Sequence, residues 1–314
     1  MTKVSVDATE LRTCSAAEAL AFADRVLGDA DSWGSSMIAY RLQSAFQADW
    51  KVEVGTWLML AERLGFLSRL LNRLGRAFEA AGDPEVTGAN DSGHRILLQE
   101  LAPAMTTHYF VASGWGFVEW EPDVPVGDVD VRLKCPRGLL TDIQVKAPDQ
   151  PGEVRGSQIH DGEYDQRILS AIDKGLLQLR DVPGPQRMLV VIPQRVFPVE
   201  ARVLTKHLLG RTQSSEDGVV LHASSRGVFA SAPGNATGAV IDLSLLRGID
   251  ETLYRCTAFL NPWARQGIAP DPSVFKNARV CHLDGTRFVW NPEPPERCFS
   301  LPSGTRYEVD RNSA

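Results

Sequence analysis

Residues 127–148 read GDVDVRLKCPRGLLTDIQVKAP, and this stretch restricts the fold more than any other. On one side, Val129, Val131 and Leu133 alternate with Asp128, Asp130 and Arg132. On the other, Thr141, Ile143 and Val145 alternate with Asp142, Gln144 and Lys146. Alternation of this kind belongs to β-strands with one apolar and one polar face. Pro136-Arg137-Gly138 supplies turn chemistry between them. A hairpin centred near Arg137 places Asp130 opposite Gln144, Asp128 opposite Lys146 and Arg132 opposite Asp142. A slip by one residue would pair polar positions with apolar ones, which a half-buried sheet resists.

The flanking chain reads as helices before this hairpin and a mixture after it. Ser15 and Glu18 form a capping-box pattern ahead of Leu20, Phe22, Ala23, Val26 and Leu27. A second helix is expected over Ser36 to Trp50. A third, the longest, is expected to run from Trp57 through Leu60, Leu64, Leu67, Leu71 and Leu74 to Phe78. Arg69, Arg73 and Arg76 lie on its other side, as either a DNA-facing ridge or a solvated face. A polar linker follows from Thr87 to Gly93. His94 to Ala102 is helical in pattern, and Tyr109 to Trp120 reads as a strand broken by Gly114 and Gly116. After the hairpin come a helix from Tyr164 to Arg180 and a buried strand in the apolar run from Arg187 to Pro193. Further on, Pro198 to Leu209 reads as a helix. Val219 to Ala223 and Val228 to Ala232 read as a hairpin, Ala239 to Leu243 as a strand and Glu251 to Leu260 as a helix. Short strands are expected at Ala278 to His282 and Arg287 to Trp290.

Two carboxylates, a carboxamide and an ammonium on one patch suit metal-assisted phosphodiester hydrolysis. A hard cation such as Mg²⁺ takes oxygen ligands, here Asp130, the side-chain oxygen of Gln144 and a nearby backbone carbonyl. Lys146 can hold the attacking water or stabilise charge on the phosphate. The pattern resembles the PD-(D/E)xK nuclease superfamily, in which a strand carrying Asp precedes one carrying (D/E)-x-K. Gln144 stands where that family has an acid. Ile143-Gln144-Val145-Lys146 resembles the I-Q-x-K of Mrr-like restriction endonucleases. Helix, three strands, helix, strand is also the order of that superfamily. The resemblance implies a restriction-endonuclease-like α/β sandwich with a mixed central sheet. It further implies that Glu100, from the helix before the first strand, joins Asp130 and Gln144 around Mg²⁺ or Mn²⁺, with Lys146 as the catalytic cation. Glu119 and Glu121 are weaker substitutes for Glu100, and Arg167 and Lys174 are candidate phosphate contacts. Nucleic acid, DNA above all, is the implied partner, with genome defence as the setting.

The remaining features narrow the class. With 314 residues, 43% of them hydrophobic, the chain can build a large core. Three regions are expected: a helical part over 1–83, the nuclease-like core over 94–195, and a mixed α/β part over 196–314. The longest apolar runs are too short for a membrane span, and the first residues lack a signal core, so a cytoplasmic protein is expected. Five cysteines at scattered spacings support neither a disulfide framework nor a zinc ribbon. Cys281, His282 and Cys298 lack an evident fourth ligand for zinc. A net charge of −6 argues against nonspecific coating of nucleic acid. There is no P-loop, dinucleotide fingerprint, H-E-x-x-H or G-x-S-x-G. Three alternatives stay open: the Asp-rich strand is a solvated face carrying cross-strand ion pairs, the fold is a non-catalytic module that binds nucleic acid or a protein, or the chain is an interaction protein whose N-terminal helices form a homodimer.

Overall fold

The structure, a computed structural model, describes residues 15–27, 48–81, 92–148, 161–184, 186–193, 201–210, 212–215, 218–221, 226–247, 252–285, 287–291 and 298–301. The expected helix over Ser36 to Trp50, the linker from Thr87 to Gly93 and the loop after Asp149 lie wholly or largely outside these residues.

Among the described residues, four helices precede the sheet: α1 (Ala16–Leu27), α2 (Ala48–Arg63), α3 (Leu67–Ala81) and α4 (Ser92–Ala112). The capping box at the start of α1 is formed, the Ser15 N–H donating to Glu18 Oε2 at 2.8 Å and the Glu18 N–H to Ser15 Oγ at 3.2 Å. The single long helix expected from Trp57 to Phe78 is instead two. Gly65, at φ 79°, ends α2. The Phe66 N–H reaches back to the Ala61 carbonyl and the Gly65 N–H to that of Glu62, a closing pattern that needs a left-handed residue and favours glycine. Gly114, at φ 92°, closes α4 in the same way through Trp115 to Phe110 and Gly114 to Val111. Tyr109 to Ala112 are therefore helical, and the expected strand shortens to β1 (Gly116–Trp120). Pro103 lies within α4, at the expense of one intrahelical hydrogen bond.

β2 (Val131–Lys134) and β3 (Leu140–Lys146) form the hairpin, α5 (Asp161–Leu179) crosses over, and β4 (Gln186–Val191) returns parallel to β3. The rest comprises α6 (Ala201–Leu209), β5 (Thr212–Ser215), β6 (Gly218–Leu221), β7 (Ala239–Arg247), β8 (Thr252–Leu260), β9 (Arg279–Asp284), β10 (Arg287–Asn291) and β11 (Cys298–Leu301). All strands among the described residues join one mixed sheet in the order β1-β2-β3-β4-β7-β8-β9-β10-β6-β5, with β11 on β8. This is an α/β sandwich on a mixed central sheet.

Two expectations for the last third are corrected. Residues 252–260 form a strand rather than a helix. Tyr254, Cys256, Ala258 and Leu260 fill one core while Phe259 enters the other, which only a period of two can achieve. Val228–Ala230 is a short 3₁₀ turn that buries Phe229 against α6, so β6 pairs with β5 and β10 instead.

The sheet carries a core on each face. Met188, Val190, Ile143 and Val145 face α2, α3 and α4, whereas Leu189 and Val191 face α5 and α6. Burial on both faces explains why β4 reads as an unbroken apolar run. Trp57 Nε1 donates to the Tyr254 hydroxyl at 3.0 Å, and Tyr109 packs edge-on to Tyr254, so residues from all three expected regions meet in the first core.

Candidate active site on the hairpin

The hairpin register places Arg132 opposite Asp142 and Val131 opposite Ile143, as its alternation leads one to expect. Regular pairing stops there. One residue before β2, the Asp130 N–H still donates to the Ile143 carbonyl at 3.0 Å. Its carboxylate then does what a strand carbonyl otherwise does: Oδ2 accepts the Val145 N–H at 2.7 Å. The same oxygen accepts Gln144 Nε2, also at 2.7 Å. Asp130 and Gln144 are thus brought together. Asp128 is not held opposite Lys146; it accepts a hydrogen bond from Gln178 Nε2 of α5 at 3.2 Å.

Burial dominates the electrostatics. Asp130 is 9% exposed, and desolvation pushes its pKa up to about 6, against the Val145 N–H and the charges of Arg73 and Lys146. Gln144 is 2% exposed. Its Nε2 faces the carboxylate because an amide nitrogen donates and a carboxylate accepts. Oε1 is left buried with no hydrogen-bond partner among the described residues. The patch is therefore not a solvated sheet face.

Arg73 of α3 completes the cluster. Its Nε donates to Glu100 Oε2 at 2.7 Å and its Nη1 to Glu121 Oε1 at 2.6 Å, with Asp130 Oδ1 3.8 Å from Nη1. Glu100 therefore reaches the site through the guanidinium. Arg73 lies between the buried Leu70 and Leu74, at the margin of the apolar stripe, and only 21% of its side chain is exposed. The solvated-ridge reading fails for this residue, although Arg69 and Arg76 on the same helix are exposed. Glu121 has φ 47°, in the left-handed region, and its N–H donates to the Asp130 carbonyl at 2.8 Å. That turn sends Glu121 into the cluster, whereas Glu119 lies 3.9 Å from Arg132.

Lys146, at the end of β3, is half-buried. Burial lowers its pKa, and Lys174 adds to this against the pull of Asp130 and Asp128. It opens into a cleft of about 850 Å³ that Arg167, Ser170 and Lys174 of α5 also line. A second cleft of about 510 Å³ is lined by Arg73, Glu121, Asp128 and Asp130.

Asp130, Gln144, Glu100 and Glu121 are oxygen donors of the kind a hard divalent cation takes. The unpartnered Gln144 Oε1 fits that use. In the present arrangement the guanidinium lies among these carboxylates. Among the described residues, no three His, Cys, Asp or Glu side chains are gathered to hold a metal directly.

No protein-family model matches the sequence, and no curated protein matches it. Among solved structures, that of Pyrococcus furiosus SfsA in complex with Ca²⁺ is similar with a TM-score of 0.22 and 12% identity. The likeness covers 55% of this chain and 63% of that one, less than two thirds of its length. At that score it says nothing about the activity of this chain.

Proposed function

We propose that the protein hydrolyses phosphodiester bonds in nucleic acid, with DNA as the expected substrate, at a site built on the β2–β3 hairpin. The observation that carries this reading is the buried pairing of Asp130 with Gln144, linked to Glu100 through Arg73, with Lys146 on the adjoining cationic cleft. Asp130, Gln144 and Glu100 would hold Mg²⁺ or Mn²⁺, and Glu121 is a further oxygen donor. The bound cation supplies Lewis acidity and a more acidic water. Lys146 directs its ammonium at a phosphate oxygen, where the developing negative charge is stabilised in a partly desolvated setting. Arg167 and Lys174 hold the flanking phosphates along the same cleft.

Cleavage of double-stranded DNA, single-stranded DNA and RNA with Mg²⁺ or Mn²⁺ tests the reading. Lys146→Ala is expected to lower the rate by about 10²–10³ while the protein stays folded. Wild-type protein inactive on all three polymers with both metals would end it. A second reading, a non-catalytic module that binds nucleic acid or a protein, draws on the Arg73 ion pairs, which already place a cation in the cluster. On that reading the polymer is bound and not cut.

A further inference from the structure

We propose that Arg73 is the resident counterion of this site, that a divalent cation displaces it, and that it thereby sets the affinity for that cation. The inference rests on the metal-dependent reading above. Three observations converge on it.

The first is the division of the guanidinium between elements. Nε is hydrogen-bonded to a carboxylate of α4 and Nη1 to one in the turn after β1, with Asp130 next nearest. One positive charge thus faces three carboxylates. Without a cation between them, these acids would repel one another in a partly buried space.

The second is the Gln144 oxygen. Oε1 is buried and accepts nothing among the described residues, while the amide nitrogen is turned to Asp130. Arginine therefore balances charge without completing the coordination that this oxygen offers. A small hard ion, unlike a flat fork, can take the amide oxygen and carboxylates together once the Gln144 amide turns its oxygen toward Asp130.

The third is an exit. Arg73 also lines the 510 Å³ cleft, so its long side chain can leave the acids and keep its charge in water.

Calorimetric titration of Mn²⁺ into wild type, Arg73→Met and Arg73→Lys tests the inference, with thermal midpoints measured with and without Mn²⁺. Arg73→Met is expected to bind Mn²⁺ about tenfold more tightly or better. It should also melt lower than wild type without metal and recover with it. Arg73→Lys keeps a charge but not the two-pronged reach, so it should fall between the two. That variant carries the test if Arg73→Met does not fold. Binding seen in the variants alone would be the strongest form of the expected result. If wild type binds Mn²⁺ and both variants bind it equally or more weakly, Arg73 positions the carboxylates and does not compete, and the inference falls alone. Negligible heat in all three proteins removes the metal site, and both readings fall together.

Discussion

Asp142 and Asp130 are buried carboxylates on one hairpin, the first on a rung of the regular ladder and the second just past its end, where the next rung on that face would fall. Both oxygens of Asp142 receive the Arg132 fork, Nε at 2.5 Å and Nη2 at 3.0 Å. Asp130 is held differently. Its Oδ2 takes two neutral donors, and its Oδ1 has only a guanidinium nitrogen at 3.8 Å. A two-pronged arginine closes a carboxylate geometrically and electrostatically. An acid tied by one oxygen keeps a lone-pair face for something else, and here burial pushes its pKa up to about 6. The same residue type thus serves as a strut on one rung and as a candidate ligand on the next.

Acid titration of the metal-free protein should separate the two rungs most strongly. Asp130 ordinarily titrates at 3.8 and does so near 6 when folded, so the folded state holds the extra proton between these values. Its contribution to stability is present below the unfolded pKa and is lost as pH rises through about 6, and can reach about 3 kcal/mol. His108 acts in the opposite sense. Its burial lowers the pKa to about 4, so its contribution is present above 6.5 and is lost as pH falls through 4. Urea unfolding at pH 7 and 4.5 should therefore show Asp130→Asn losing more stability on acidification than wild type. Parallel losses would mean that Asp130 is no more desolvated than an ordinary acid.

The next test breaks the closed rung. Asp142→Asn removes the charge that Arg132 grips and should lower stability by about 1–3 kcal/mol. That is less than for a fully buried pair, because a quarter of the Arg132 side chain is exposed. A cost below about 0.5 kcal/mol would place Asp142 among ordinary surface pairs and dissolve the contrast.

Gln144→Glu gives the smallest and most selective effect. An added carboxylate should tighten Mg²⁺ binding by about tenfold, while Asp130→Asn weakens it. Equal, negligible heats in wild type and both variants would show that the open rung binds no metal.

The hairpin was legible because its period of two specifies faces and register together, and Asp130 with Gln144 follows from that. Arg73 was not. Its partners Glu100 and Glu121 lie 27 and 48 residues away in sequence, and a helical arginine beside a leucine stripe has the pattern of any solvated one. The sequence ranks Glu121 only as a weaker substitute for Glu100, level with Glu119, because its left-handed backbone conformation is a tertiary outcome at a residue type that seldom adopts it. Residues 252–260 read equally as a helix because Leu253, Cys256 and Leu260 fall at spacings of three and four, beside the alternation of Tyr254, Cys256 and Ala258. Gly65 and Gly114 were visible, yet a glycine alone does not tell a helix end from a broken strand.

Gly65 has a reach beyond its own turn. Had the chain continued straight from Arg63, Arg73 would lie about 15 Å farther along the same axis. The reversal at Gly65 lays α3 against α4, and Phe66 beside it stacks on Trp120, ring centroids 4.1 Å apart, one residue before Glu121. The glycine thus works as a hinge pin, and the guanidinium is the latch it swings into the acids. Gly65→Ala meets nothing within 4 Å, so its cost is the left-handed backbone itself, about 1–2 kcal/mol. A change so small and so distant would loosen the latch without touching a single oxygen that it holds.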